Sequence, residues 1–309
     1  MQGKAEILEW ESRWAKPVAG LTLLAVASLV FAVYVGGAVS GNGEAEVLRS
    51  THEHSSAVTA TSLLQALGFG LFAVPLFYLF RAARVRSDRV RRQFVGLIVV
   101  APLFLAVSSG LSGSARNDAA STFVAGDAKP TLTKQEAREE CVSEQGDLGA
   151  EDFAAEFEPG AGEKPLAACE DRKVEDDAAS NAQSEASTAA AVSGFGIAGA
   201  LGLAFALFYV GLWSMRTGLV SRFWASLGMA LGVAIIFGLF PFALVWFLYI
   251  ALLIAGWVPG GRPPAWEAGE AVPWPTPGEK AATELEPAAD EPAAEDAPAE
   301  ERRKRKQRD

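Results

Sequence analysis

Histidine and cysteine are both scarce in this chain. Its 309 residues include two histidines, His52 and His54, and two cysteines, Cys141 and Cys169. A histidine-rich metal site is therefore excluded, and two histidines supply fewer ligands than the roughly three or four that a zinc site needs. The chain has no Cys-x-x-Cys motif, which argues against a thiol oxidoreductase. We expect no metal and no cofactor.

Charge is missing from five long stretches of the chain. An uncharged, mainly apolar run of about 18 residues or more is typical of a transmembrane helix. Proton-coupled transporters and membrane hydrolases usually keep an ionisable group inside their helix bundle, and these runs contain none. The pattern predicts an all-α, polytopic membrane helix bundle and argues against an enzyme. The uncharged runs are 17–40, 58–80, 94–113, 189–213 and 225–258.

The last uncharged run is too long for one membrane helix. Residues 223–257 would form a helix of about 52 Å, whereas the hydrocarbon core of a bilayer is about 30 Å thick. The centre of this run contains Gly238 and Pro241, and proline suits the first turn of a new helix. We therefore predict two short helices, 223–239 and 241–257, and six transmembrane helices in all. A single tilted helix, which makes five, is the alternative.

Arginine is concentrated in the short loop after the second predicted helix. Between residues 81 and 92 it occurs six times, against a single Asp88. Short loops with such an excess remain in the cytoplasm, because moving arginine across the bilayer during insertion is costly. Beside two membrane helices this explanation suffices, so we expect no nucleic acid as a partner. The predicted topology determinants are Arg81, Arg84, Arg86, Arg89, Arg91 and Arg92.

This loop sets the predicted topology of the whole chain. Residues 17–113 hold transmembrane helices 1–3, and residues 189–258 hold helices 4–6. The two ends of the chain, 1–16 and 259–309, then lie in the cytoplasm, and 114–188 lies on the other side. Arginine outnumbers lysine by 18 to 9, and alanine and glycine are abundant. This composition favours a bacterial source and hence the bacterial cytoplasmic membrane.

The segment 114–188 is predicted to form an extracytoplasmic loop domain. It carries 18 acidic and 7 basic residues, which give a net charge of -11. Thr133 and Glu136 fit a capping box at the start of a helix over 131–146. A short helix is expected at 150–158, and a third further on, leading toward the fourth membrane helix.

The two cysteines belong to this acidic segment. Few large apolar residues are available for a core there, and so small a core usually needs a covalent link. In an oxidising compartment Cys141 and Cys169 would form a disulfide bond. Two free thiols are the alternative.

The C-terminal segment 259–309 has a different composition. It is rich in proline, alanine and glutamate, and its large apolar residues are few. Such a segment cannot bury enough apolar surface to offset the entropy of ordering it. We predict a disordered cytoplasmic tail.

The fourth predicted helix contains Gly194-Phe-Gly196-Ile-Ala-Gly199, a literal G-x-G-x-x-G. A dinucleotide site requires a preceding strand and an acidic residue about 20 positions later, and neither is expected here. Close helix packing is the better interpretation, because small residues four apart let helices approach each other. The residues with this spacing are Gly194, Ala198 and Gly202 and, in the fifth helix, Gly228 and Gly232.

Two segments resemble parts of known proteins. The loop 215–224, Met-Arg-Thr-Gly-Leu-Val-Ser-Arg-Phe-Trp, resembles a loop of uncharacterised bacterial integral membrane proteins. The segment 259–275 resembles the tail of similar actinobacterial proteins. The resemblance covers mainly 189–275 and implies a domain of unknown function with about six transmembrane helices. It implies no active residue, and the long segment 114–188 departs from that family.

These observations favour a non-enzymatic membrane protein. Large hydrophilic segments on both sides of the bilayer suit an interaction or structural role, with protein partners bound through 114–188 or the tail. The alternative is a carrier or channel for a small neutral solute, which the glycine-rich helices and the number of spans would suit. The lipid bilayer is the one partner that both hypotheses share.

Overall fold

A computed structural model describes residues 3–157 and 164–275, and within these ranges every regular element is a helix. The all-α prediction is confirmed. The helices are α1 (Lys4–Gly36), α2 (Glu44–Glu53), α3 (Ser55–Leu71), α4 (Ala73–Arg86), α5 (Val95–Val124), α6 (Lys134–Leu148), α7 (Ala150–Phe157), α8 (Pro165–Glu185), α9 (Ala189–Arg216), α10 (Arg222–Ile236), α11 (Phe240–Ala255) and α12 (Pro264–Ala268).

Four of the described helical stretches are long and apolar enough to cross a membrane. They are Lys4–Gly36, Ser55–Arg86, Arg92–Val124 and Ala189–Arg216, where the second joins α3 and α4 and the third includes a short 3-10 turn before α5. Helices α10 and α11 are also apolar but have only 15 and 16 residues. They are separated at Gly238, whose φ of 77° lies in the left-handed region. Six crossings of the membrane stay a prediction.

The first and third long helices extend beyond the apolar runs predicted from the sequence. Helix α1 begins at Lys4 rather than near residue 17, because Ile7, Glu11 and Ala15 follow one another at intervals of four and are all buried. Helix α5 continues past residue 113 to Val124, since buried alanines in its last turns pack against α2 and α8. Residues 4–16 are therefore part of the same helix as the first apolar run.

The core of the bundle is filled by large side chains. Phe72, at the bend between α3 and α4, stacks on Phe247 of α11 with ring centroids 3.7 Å apart. Trp246 is buried beside it, and its indole Nε1–H donates a hydrogen bond to the carbonyl of Trp224 at 2.8 Å. Between helices in lipid, such packing and hydrogen bonding replace the hydrophobic effect as the source of stability.

The described part of the acidic segment lies against the bundle, and a loop domain is not confirmed. The described residues up to Val272 form one compact unit, and a second unit begins at Pro273. Helix α8 lies against α2 and the last turns of α5, and helices α6 and α7 lie against α8. An alanine-rich cluster joins α2, α5 and α8. The buried members of this cluster are Ala45, Leu48, Ala119, Ala120, Ala179 and Ala182.

The start of the C-terminal segment contains the helix α12, so the predicted disordered tail does not begin at residue 259. Residues 259–272 pack on the bundle, and they include the short helix α12. This segment is held on the bundle because the side chain of Trp266 is buried, with 4% of its surface exposed. A disordered tail over 276–309 is a prediction that lies outside the described residues.

Candidate functional sites at the two ends of the bundle

The two ends of the bundle differ in chemistry. The arginine end consists of the first turns of α1, the last turns of α4, the loop before α5, the loop between α9 and α10, and the segment 259–272. The disulfide head consists of α2, residues 114–124 of α5, and helices α6, α7 and α8.

A buried ion pair lies at the arginine end. The side chain of Arg86 is 0% exposed and that of Glu11 is 3% exposed. One guanidinium nitrogen, Nη2, donates to Oε2 of Glu11 at 2.9 Å, and Nη1 contacts the other carboxylate oxygen. Tyr78 donates its hydroxyl to the carbonyl of Glu11 at 2.9 Å. Removing either charge would leave the other buried without a partner.

The same arginine holds the C-terminal segment in place. Nη2 of Arg86 donates to the carbonyl of Ala265 at 2.9 Å. The ring of Trp266 stacks on Tyr78 with centroids 5.9 Å apart, and its Nε1–H donates to the carbonyl of Leu219 at 2.9 Å. Helices α1 and α4, the loop after α9 and the segment 259–272 therefore meet around Arg86.

Glycine is required where this segment crosses the loop after α9. Gly218 has a φ of +75°, and a β-carbon there would lie 1.9 Å from the carbonyl oxygen of Val272. The amide of Val272 donates to the carbonyl of Thr217 at 3.2 Å. The two segments 215–224 and 259–275 that carry the resemblance thus touch each other.

The predicted topology determinants divide into three groups. Arg86 is buried in the ion pair, and Arg81 is half-buried with its guanidinium 4.0 Å from the ring centroid of Trp10. The remaining four, Arg84, Arg89, Arg91 and Arg92, are exposed. A cavity of about 950 Å³, the arginine pocket, is lined by Arg81, Arg84, Arg91 and Arg92 together with Asp88. The side of the membrane on which these arginines lie stays a prediction.

The small residues predicted for helix packing do not all lie between helices. Gly194 and Ala198 are exposed, and no neighbouring helix approaches Gly194, so the structure gives these two no packing role within the chain. Gly202 does face α5, where a β-carbon would lie 2.7 Å from that of Ala101. Gly199 is its companion, since a β-carbon there would lie 2.8 Å from the amide nitrogen of Leu105. The packing face is therefore rotated away from the predicted one.

The two glycines predicted in the fifth helix lie against other helices. A β-carbon at Gly228 would lie 2.7 Å from the indole of Trp246 in α11. A β-carbon at Gly232 would lie 2.8 Å from the carbonyl oxygen of Ala204 in α9. Helix α10 thus sits between α9 and α11 at distances that a larger residue would prevent.

The disulfide head contains the cysteine pair. Cys141 of α6 and Cys169 of α8 form a disulfide with a Cα–Cα distance of 6.1 Å, and both are fully buried. Phe153 of α7 is buried beside them, with Phe157 and Leu166 partly buried around the cluster. The capping box is present too, because the hydroxyl of Thr133 accepts from the amide of Glu136 and the side chain of Glu136 accepts from the amide of Thr133.

Carboxylates of α8 bind the backbone of the neighbouring elements. Asp176 accepts a hydrogen bond from the amide of Ala45 at 2.9 Å, in the first turn of α2. The positive end of the α2 dipole favours a carboxylate there. Arg49 and Glu175 form an ion pair at 2.8 Å, but both are about half exposed, so this pair adds little.

Asp177 binds the loop that precedes α6. It accepts a hydrogen bond from the amide of Leu132 at 2.9 Å, and this bond, with others from Thr131 and Asn181, holds the pKa of the Asp177 carboxyl below its ordinary value. The pKa of Glu136 is lowered as well, first by the amide of Thr133 and then by its hydroxyl. Both carboxylates stabilise the fold of the head in their charged form.

The histidines do not form a metal centre with other residues. His52 and His54 are exposed on and beside α2, and Nδ1 of His54 lies 3.0 Å from the carbonyl oxygen of Ser50. Over residues 3–157 and 164–275 no group of three or more His, Cys, Asp or Glu side chains has a geometry for a metal ion.

Sequence reasoning did not find Glu11 or Trp266. By sequence, Glu11 falls in the predicted cytoplasmic N-terminal segment 1–16, whereas the structure places it with Ile7 and Ala15 on a buried face of α1. Trp266 was treated as part of a disordered tail. The signal in the sequence is a large aromatic residue within a segment rich in proline and glycine, because burying such a side chain can fix the segment on the rest of the protein.

No protein-family model matches this chain, and no curated protein or solved structure matches it either. The resemblance of 215–224 and 259–275 to uncharacterised actinobacterial membrane proteins stays a prediction. Function is therefore inferred from the geometry of the two ends.

Proposed function

We propose that this is a non-enzymatic membrane protein that presents the disulfide head to a protein partner outside the cytoplasm. The observation that carries the proposal is the attachment of the head to the membrane helices. The alanine-rich cluster joins α8 to α2 and to the end of α5, which is itself the continuation of a membrane helix. A head held in this way offers a partner one rigid surface, which reduces the entropy lost on binding.

The charge of the head indicates a basic partner. Residues 114–188 have a net charge of -11. In the described part of the head, Asp147, Glu151 and Asp152 are exposed and form no ion pair. A surface with such an excess of one sign attracts the opposite sign and raises the rate of encounter.

The experiment uses a photo-crosslinking residue at position 155, an exposed alanine of α7, in living cells. We expect a discrete crosslinked product that disappears in a Glu151→Lys and Asp152→Lys double variant. The matched control is Glu9→Lys with Glu267→Lys, which makes the same change in net charge with two exposed acids of the arginine end. Absence of any product, or a product insensitive to the head variant, contradicts the proposal.

A carrier or channel for a small neutral solute is the second candidate, and one observation favours it. A cavity of about 610 Å³ opens between α3, α5 and the residues before α9, and its lining includes the uncharged polar side chains of Ser62, Asn117 and Ser187. Below it, the hydroxyl of Ser108 donates to the carbonyl of Val192 at 2.8 Å. Hydroxyl groups along helices are suited to binding an uncharged solute.

Flux into proteoliposomes tests this second candidate. Uptake of a neutral solute above that of empty vesicles, reduced by Thr59→Phe at an exposed position of the cavity lining, would support a carrier. Ser226→Phe, at an exposed site on α10, is the control for a bulky residue that does not narrow the cavity. Uptake equal to that of empty vesicles across a broad panel of neutral solutes argues against transport.

A further inference from the structure

The arginine pocket has an excess of positive charge. Four guanidinium groups, from Arg81, Arg84, Arg91 and Arg92, line it with one carboxylate, that of Asp88. None of these arginines forms an ion pair within residues 3–157 and 164–275. Guanidinium groups bind phosphate oxygens through paired, charge-assisted hydrogen bonds.

The buried ion pair does not neutralise the positive charge of the pocket arginines. Arg86, in the same turns of α4, has its charge balanced by Glu11 and takes no part in the pocket. Arg81 is supported from below by the ring of Trp10, at 4.0 Å, rather than by an acid. Positive charge held by an aromatic ring remains available to an anion.

An apolar groove continues from the pocket along the outside of the bundle. It has a volume of about 460 Å³ and lies between α1 and α4, with Trp14, Val18 and Val74 in its lining. Phe77 and Arg81 line both the pocket and the groove, so the two share a border. The groove runs along two of the helices that are suited to cross a membrane.

We propose that the arginine pocket binds the phosphate of an anionic phospholipid, whose acyl chain lies in the groove between α1 and α4. The juxtaposition of a charged pocket and an apolar groove matches the two parts of a lipid molecule. Basic pockets between membrane helices are suited to anionic headgroups. The loop arginines thus have a binding role in addition to any effect on topology.

A soluble phosphate compound has the same headgroup chemistry but would leave the groove empty. The continuity of the groove with the pocket therefore favours the lipid. The two sources can be distinguished, because a lipid should not be displaced by inorganic phosphate or by glycerol 3-phosphate at comparable concentrations.

Binding is measured on the purified full-length protein in detergent by tryptophan fluorescence. The probe is phosphatidylglycerol with brominated acyl chains, which quench tryptophans in contact with them, such as Trp10 and Trp14 at the groove. We expect saturable quenching, and roughly tenfold or greater preference over phosphatidylcholine with the same brominated chains. Millimolar inorganic phosphate or glycerol 3-phosphate should not displace the lipid.

The pocket variant is Arg91→Gln with Arg92→Gln, and we expect it to weaken binding roughly tenfold to thirtyfold, since each basic residue near a headgroup contributes about equally. The matched control is Arg89→Gln with Arg216→Gln, which removes the same charge from exposed sites outside the pocket. It should leave the affinity unchanged. Arg84→Gln alone is a second pocket variant, with an expected loss of about fivefold.

Equal losses in the pocket variant and the control would show a general charge effect and overturn the proposal. So would unchanged affinity in both pocket variants, or equal binding of phosphatidylcholine. Displacement of the lipid by millimolar inorganic phosphate or glycerol 3-phosphate would reassign the pocket to a soluble phosphate compound. A melting temperature equal to wild type shows that a variant is folded.

Discussion

At the scale of single residues, the Glu11–Arg86 pair has the largest expected effect on stability. Both side chains are buried, and the arginine also binds the carbonyl of Ala265. A buried charge whose partner is removed keeps its full desolvation cost. A surface pair such as Arg49 with Glu175 has no such cost, because water replaces the missing partner.

Removing one member of this pair should destabilise the protein strongly. We expect Glu11→Leu to lower the free energy of unfolding by about 3–5 kcal/mol, since it leaves Arg86 charged and buried. Replacing both members, as Glu11→Leu with Arg86→Met, should restore most of the loss. Thermal unfolding in detergent measures both; a double variant no better than Glu11→Leu would show that the pair itself is not the cause.

Asp177 makes the disulfide head sensitive to acid. Its pKa is lowered in the folded protein, so its stabilising effect is present above the unfolded value of about 3.9 and is lost as the pH falls through the lower folded value. Below about pH 4, we expect hydrogen exchange of the Leu132 amide to be faster than the intrinsic pH dependence of amide exchange predicts.

Asp177→Asn is the variant that tests this assignment. In this variant, the Leu132 amide should exchange faster than in wild type already at pH 7. The acceleration expected for wild type below about pH 4 should be absent. Glu156→Gln removes an exposed carboxylate of the same head and should change neither. A pH response that persists in Asp177→Asn would assign it to another group.

At the scale of the helices, rotation about the helix axis decides which small residues pack. Helix α9 turns Gly199 and Gly202 toward α5 and leaves Gly194 and Ala198 exposed. A spacing of four is compatible with several faces of the same helix. The face is selected by which neighbouring helix offers a complementary surface.

Gly202 and Gly194 of α9 should therefore respond differently to the same substitution. Gly202→Leu should be destabilised by about 1–3 kcal/mol or more, because its side chain meets Ala101. Gly194→Leu should unfold close to the wild-type temperature, since no neighbouring atom approaches that site. Equal melting temperatures for the two variants would disprove the observed rotation of α9.

The disulfide links α6 to α8 across 28 positions of sequence. In the chain-entropy model, removing this bond lowers the free energy of unfolding by about 3.6 kcal/mol. We expect Cys141→Ser with Cys169→Ser to expose the head to limited proteolysis near Phe153, while Trp246 and the bundle stay protected. A proteolytic pattern identical to wild type would show that the alanine-rich cluster alone holds the head.

At the scale of the whole molecule, one axis separates the arginine end from the disulfide head. The positive-inside tendency predicts that the arginine end is cytoplasmic. A disulfide persists in oxidising compartments, so the predicted bond and the predicted orientation depend on each other, and the orientation stays a prediction.

Cysteine labelling in intact cells measures the orientation. In a Cys141→Ser, Cys169→Ser background, we expect a membrane-impermeant maleimide to label Ala155→Cys in the head and to spare Arg89→Cys until the membrane is permeabilised. Both positions are exposed, so accessibility within the protein is matched. The reverse pattern would invert the topology and remove the basis for an extracytoplasmic head.

The sequence by itself determined the features that depend on neighbours along the chain. The uncharged runs predicted apolar helices, Gly238 with Pro241 predicted the division between α10 and α11, and Thr133 with Glu136 predicted a capped helix. In each case an apolar run, a cap or a turn residue acts through residues close to it in the chain, although tertiary packing lengthens α1 and α5 beyond the apolar runs.

Only the tertiary structure decided which residues meet from distant parts of the chain. In the sequence, nothing distinguishes Arg86 from the other five arginines between residues 81 and 92, and its partner Glu11 lies 75 positions earlier. Trp266 lies in a segment whose composition predicts disorder, but in the structure it stacks on Tyr78 and donates a hydrogen bond to the carbonyl of Leu219. The physical reason is that burial, helix rotation and charge pairing depend on where helices cross, and no local pattern encodes the crossing.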